Sequence, residues 1–172
     1  SSSDSVGLGH VRLSVIDLET GQQPMSSNSG YTITYNGEIY NFWEIRNELE
    51  ASSFNTKSDT EVILRSYDKW GKDCVSKFRG MFSFAIWDEK KKELFCARDR
   101  FGIKPFYYTV VDDVFYFASE IKALLPFVEN IDTNLDALND YLTFQFTLGE
   151  KTLFKGIKKL EPGHSIIIQN SQ

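Results

Sequence analysis

Apolar and polar positions follow two periods along this chain, and each marks out its own stretches. Tyr31, Ile33 and Tyr35 alternate with Thr32 and Thr34, which predicts a half-buried strand. That strand is expected to end at Asn36-Gly37, a dipeptide that favours a two-residue hairpin turn because both residues tolerate positive φ. The period of two returns at Met81, with Phe82, Phe84 and Ile86 facing one way. A charged turn, Asp88-Glu89-Lys90-Lys91, follows. On the returning strand Leu94 and Cys96 oppose Phe95 and Ala97. Phe106 to Val110 and Val114 to Ala118 read as a second hairpin about Asp112-Asp113. Strands are also expected from Gly9 to Asp17 and from Gly163 to Ile168.

Helical spacing fills the intervals. Asn41 and Glu44 stand at capping-box distance, with Phe42, Ile45 and Leu49 on one face. Ser58-Asp59-Thr60-Glu61 is a second capping box, backed by Val62, Ile63, Ser66, Tyr67 and Trp70 and stopped at Gly71. A short helical piece is expected over Asp73 to Phe78. Another over Glu120 to Leu125 should be ended by Pro126. Asn134 to Tyr141 reads as a helix carrying Leu135, Leu138 and Leu142 on one side. Strands cluster and helices cluster without regular βαβ alternation, so the fold class is α+β with mainly antiparallel sheets.

Composition narrows the function classes. The 172 residues suit one domain, and 15% of them are aromatic, a large payload for a buried core. The formal charge of -5 leaves no basic excess for nucleic acid. No apolar run approaches the ~20 residues of a membrane span. Cys74 and Cys96 form neither a disulfide framework nor a metal spacing, and His10 and His164 have no partner at ligand spacing, so a reducing, cytoplasmic location without a metal is expected. The polar start, Ser1 to Ser5, lacks an initiator Met and reads as a tail or linker, in a chain trimmed or cut from a longer protein.

Three strings carry more than pattern. They are His10-Val11-Arg12-Leu13-Ser14-Val15-Ile16-Asp17, Tyr35-Asn36-Gly37-Glu38-Ile39-Tyr40-Asn41 and Ala97-Arg98-Asp99-Arg100-Phe101-Gly102-Ile103-Lys104-Pro105. With Ser58 to Ile63, Gly80 to Ala85, Ala118 to Leu124, Thr152 to Ile157 and Pro162 to His164, they stand in an order that resembles the glutaminase domain of glutamine-dependent asparagine synthetases. That domain is a class II glutamine amidotransferase of the N-terminal-nucleophile hydrolase superfamily. The resemblance covers 6–168 and implies that 1–172 is one partial amidotransferase domain, a four-layer αββα sandwich truncated at its N-terminus. It also implies glutamine as substrate, hydrolysed to glutamate while ammonia passes to a C-terminal, ATP-dependent synthetase domain absent from this chain.

The resemblance also distributes roles, each beside a plainer reading. Arg12 would grip the glutamine α-carboxylate, or is a strand-edge arginine in water. Asn36 and Gly37 would form the oxyanion hole, or simply turn a hairpin. Glu38 would accept from the substrate amino group, or is an exposed acid after the turn. Asp59 would be the second acceptor for the α-ammonium, although the helix dipole favours an acid there anyway. Arg98, Asp99 and Gly102 support the site, with the Arg–Asp adjacency read as a structural ion pair. The two cysteines are expected to be buried fillers rather than the nucleophile.

The family's nucleophile is a cysteine at the start of the mature chain, with its own α-amino group as base. No such residue stands here, and Ser1 lacks the buried strand needed to hold it, so the chain is expected to be inactive as given. No cofactor is expected in this domain; ATP and Mg belong to the synthetase domain. The amidated acceptor is aspartate or another carboxylate, and a homodimer is the assembly allowed for. A noncatalytic ligand-binding or scaffold module is the competing reading.

Overall fold

The alternating stretches become the middle of a five-stranded sheet. The computed structural model describes residues 6–11, 21–49 and 54–169. In chain order the elements are β1 (Met25–Ser26), β2 (Tyr31–Ile39), α1 (Phe42–Glu48), α2 (Asp59–Trp70), β3 (Gly80–Asp88), β4 (Glu93–Arg98), β5 (Tyr107–Val111), β6 (Val114–Ala118), α3 (Leu135–Phe144), β7 (Lys158–Lys159) and β8 (Ser165–Gln169). The first sheet runs β1-β2-β3-β4-β8 and the second β6-β5-β7. Every strand pairing among the described residues is antiparallel, as expected of the α+β class.

The period of two explains the layering. Ile33, Tyr35, Phe82, Phe84, Ile86 and Phe95 point to one face, where they bury Ile45, Val62, Ile63 and Tyr67 of α1 and α2. The intervening Ala85, Leu94 and Cys96 point to the other face and meet Phe106 and Leu160, flanked by Tyr108, Phe115 and Phe117 from the second sheet. A helix layer, a sheet and a second sheet therefore stack about two apolar cores. The aromatic payload sits in those cores: Phe78, Phe84 and Phe95 are fully buried and meet one another edge-on. The remaining helix, α3, is tied by its own N-terminus, where the Asn134 N–H donates to the Leu153 carbonyl at 2.9 Å.

Several expectations change in detail. β2 does not turn at Asn36-Gly37 but runs on to Ile39, paired residue by residue with β3 from Tyr31↔Asp88 to Ile39↔Gly80. The reason is tertiary: a partner strand from residues 80–88 takes up the ladder, and Gly37 lies at φ +150°, not in a hairpin-turn conformation. The hairpin expected about Asp112-Asp113 does form, with both residues at positive φ (49° and 61°). Asn41 makes no side-chain cap on α1; its amide donates to the Lys77 carbonyl and accepts from the Arg79 N–H, while Glu44 pairs with Arg79. Ser58 does cap α2, accepting from the Thr60 N–H at 3.0 Å. Glu61 does not complete that box and instead holds the N–H groups of Asn55 and Thr56.

Pro126 does not end a helix either: Ile121–Ala123 and Leu125–Phe127 are two separate 3₁₀ turns, and the proline is the middle residue of the second. Ala137 is the buried residue of α3, whereas Leu135 and Leu142 are 72% and 74% exposed. Residues 6–11 carry no strand, and the rest of the strand expected to Asp17 lies outside the described residues.

Candidate active site

β1 pairs only with Thr32 and Ile33, so the edge of β2 beyond them meets no further strand among the described residues. Along that edge the Tyr35 N–H donates to Gln23 Oε1 at 2.6 Å, and the Ile39 N–H donates to Asp59 Oδ2 at 3.1 Å. The alternation of an antiparallel ladder puts the Gly37 N–H, midway between them, on the same edge. A cleft of about 740 Å³ opens there. Asn36, Gly37, Glu38 and Asp59 all line it, so four of the five candidate residues share one cavity. Arg12, the fifth, lies outside the described residues.

Gly37, Asn36 and Asp59 are each fixed by a different neighbour. Gly37 is glycine by necessity, since a Cβ there would stand 2.1 Å from the Met81 carbonyl oxygen and 2.7 Å from Phe82 Cα. The Asn36 amide points to the opposite side of β2 from Tyr35 and donates to Ser119 Oγ at 3.3 Å, across from the end of β6. Asp59, only 4% exposed, opens the first turn of α2. Its Oδ2 accepts from the Tyr35 hydroxyl at 2.7 Å as well as from Ile39. Glu38 is half-buried beside them. On the cleft's other wall His10 Nδ1 is 3.3 Å from Thr34 Oγ1.

Arg98 and Asp99 do not line the cleft but hold Lys104, which does, and they do not form the expected ion pair with each other. Arg98 donates to the carbonyls of Lys104, Leu160 and Gly102, each at 2.6 Å. Asp99 is fully buried and accepts from four N–H groups: Phe101 and Ile103 on Oδ1, Phe82 and Lys104 on Oδ2. Burial alone would raise its pKa, but the four N–H donors outweigh it and hold the carboxyl below its ordinary value of 3.8. Gly102 sits at φ +64° under Pro162 and the Arg98 guanidinium, with no room for a side chain.

Both cysteines are free and buried, Cys74 beside α2 and Cys96 on β4. Burial pushes the Cys74 thiol up to about 12 and the Cys96 thiol further still, so neither is a thiolate near neutrality. Among the described residues no group of three or more His, Cys, Asp or Glu could hold a metal ion. No helix among them is long and apolar enough to cross a membrane.

The described residues thus form a two-sheet α+β domain with an asparagine amide and a strand-edge N–H in one cleft with a buried carboxylate. Comparison with known proteins makes the class definite: the chain belongs to the glutamine amidotransferase domain family, whose model matches residues 1–172. Within that class it is 48% identical over 169 residues to glutamine-hydrolysing asparagine synthetase 1 of Bacillus subtilis, covering 96% of this chain and 27% of that protein. It is 41% identical to putative glutamine-hydrolysing asparagine synthetase 2 of Methanocaldococcus jannaschii, covering 95% and 35% respectively. Amidase chry2 of Gibberella zeae is 37% identical, over 100% of this chain and 26% of that one. The chain thus spans about a quarter to a third of the relatives it matches. The solved glutamine phosphoribosylpyrophosphate amidotransferase from B. subtilis superposes with a TM-score of 0.59 at 25% identity, covering 86% of this chain and 30% of that one. The fold is accordingly that of the N-terminal-nucleophile hydrolase amidotransferases, and the match is to the glutaminase region of asparagine synthetases.

Sequence reading missed Tyr35, Gln23 and Ser119. Tyr35 and Ser119 both stand inside motif strings but carry no assigned role there, and Ser119 lies 83 residues from the amide it meets. Nothing local announces the contact either one makes.

Proposed function

We propose that this domain binds glutamine in the cleft beside β2 and hydrolyses its side-chain amide, supplying ammonia to a synthetase part of a longer polypeptide. The convergence of Asn36, Gly37, Glu38 and Asp59 on one cleft carries this reading. Arg12 grips the α-carboxylate, and Asp59 with Glu38 takes the α-ammonium. The Asn36 amide and the Gly37 N–H donate to the oxygen of the tetrahedral intermediate. The attacking group is a cysteine at the mature N-terminus with its own amine as base, as the family resemblance implies. The domain needs no cofactor of its own; ATP and Mg serve the synthetase part, whose acceptor is aspartate or another carboxylate. The cytoplasm is the proposed location, and a homodimer the assembly to look for.

Asp59→Asn in the full-length protein tests the reading. It removes the charge facing the ammonium while keeping the shape, so the glutamine KM should rise roughly 10–100-fold with kcat little changed. An unchanged KM would take Asp59 out of the binding site.

The burial of Cys74 and Cys96 favours a second statement. The 172 residues by themselves act as a noncatalytic ligand-binding module and release no glutamate from glutamine. In the full-length protein, Cys74→Ser should leave the glutaminase rate within about twofold, since a buried neutral thiol does not attack. Glutamate release by the 172-residue chain above a denatured control, or loss of activity in a folded Cys74→Ser protein, would reverse this.

A further inference from the structure

The Asp59 carboxylate is divided between protein and cleft. Oδ2 takes two donors, the Tyr35 hydroxyl at 2.7 Å and the Ile39 N–H at 3.1 Å. Among the described residues Oδ1 has no hydrogen-bond partner, and it is not one of the sealed, unsatisfied atoms of the interior, so it is the oxygen that Asp59 turns to the cleft it lines. One oxygen locked from two directions fixes the plane of the carboxylate, and with it the direction from which the other oxygen meets a cation.

Tyr35 is itself 4% exposed, so its ring cannot swing away without opening the core around Ile33 and Tyr67. Burial, the Asp59 charge and Glu38 all keep its hydroxyl protonated, and it remains a donor at every working pH. It also precedes Asn36 and Gly37 on β2 and ties that strand to the first turn of α2. The hydroxyl therefore holds the carboxylate at the edge of β2 that also carries the Gly37 N–H.

We propose that Tyr35 is a positioning residue that gives the site its selectivity for an α-amino acid amide, by holding Asp59 with one oxygen turned into the cleft. This rests on the glutamine reading above. The selectivity belongs to the pair: Asp59 supplies the charge, and Tyr35 aims it.

The test is Tyr35→Phe in the full-length protein, with glutamine compared against glutaramate, the same amide and carboxylate without the amino group. The variant should lose roughly 5–20-fold in kcat/KM for glutamine, through KM, with kcat unchanged. Glutaramate should change less than twofold. Equal losses on both substrates would reduce Tyr35 to packing and overturn the proposal. A wild-type protein that hydrolyses neither amide would instead overturn the glutamine reading itself. Should the variant fail to fold, the wild type still decides. The Ile39 amide resonance, which reports on the shared Oδ2, should shift with glutamate and stay in place with glutarate. Equal shifts with both would refute the proposal.

Discussion

Asp99→Asn is expected to lower the folding stability by about 3–5 kcal/mol, read as a fall in the urea midpoint at an unchanged slope. The size follows from what one carboxylate does. Asp99 is fully buried, and its two oxygens accept from the N–H groups of Phe82, Phe101, Ile103 and Lys104. An asparagine keeps one acceptor and turns an NH₂ towards two donors, leaving them unsatisfied at roughly 1–3 kcal/mol each. The pH dependence has a definite sign. Because the folded pKa lies below the ordinary 3.8, the carboxylate's contribution is present above that value and is lost as pH falls through the folded one. The gap between wild type and variant should therefore be constant from about pH 5 to 7 and shrink below about 4. A gap independent of pH down to acid unfolding would show that the charge of Asp99 is not what the N–H groups hold.

The largest effect on activity is expected at Asn36. In the full-length protein Asn36→Ala should reduce kcat roughly 10²–10³-fold with little change in the glutamine KM. The substrate's ground-state oxygen has little use for the donor; the charge that needs it develops only as the amide carbon becomes tetrahedral. The Gly37 N–H remains in the variant, so the loss is partial. Asn36 bonds to Ser119 through its side chain, whereas its backbone is held by β3, so the substitution leaves the ladder intact. A rise in KM at constant kcat would make Asn36 a binding group. No change in either would leave it a strand residue that happens to face the cleft.

Much of the fold was legible because burial leaves a period in the chain. Phe82, Phe84 and Ile86 announced one buried face of β3, and Val62, Ile63 and Tyr67 the inner face of α2. Each signal is local: residues two apart on a strand, or three and four apart on a helix, share a face whatever the rest of the chain does. Where local preference and tertiary pairing conflicted, pairing prevailed. Asn36-Gly37 has the strongest hairpin signal in the chain, yet β3, arriving from more than forty residues away, carries the strand straight through it. The two caps failed in part for the same reason, since Asn41 and Glu61 found backbone partners outside their own helices.

The sequence by itself determined the class of this domain, its α+β composition and the residue types of its site, because these reside in motifs and periodicity. Only the tertiary structure decided what those residues do to one another. It turned the presumed hairpin glycine into a strand-edge N–H, and it replaced the Arg98–Asp99 ion pair with separate backbone clamps. It also joined Tyr35 to Asp59 across 24 positions. Hydrogen-bond geometry is set by distances of about 3 Å between groups remote along the chain, and no local pattern encodes such a distance.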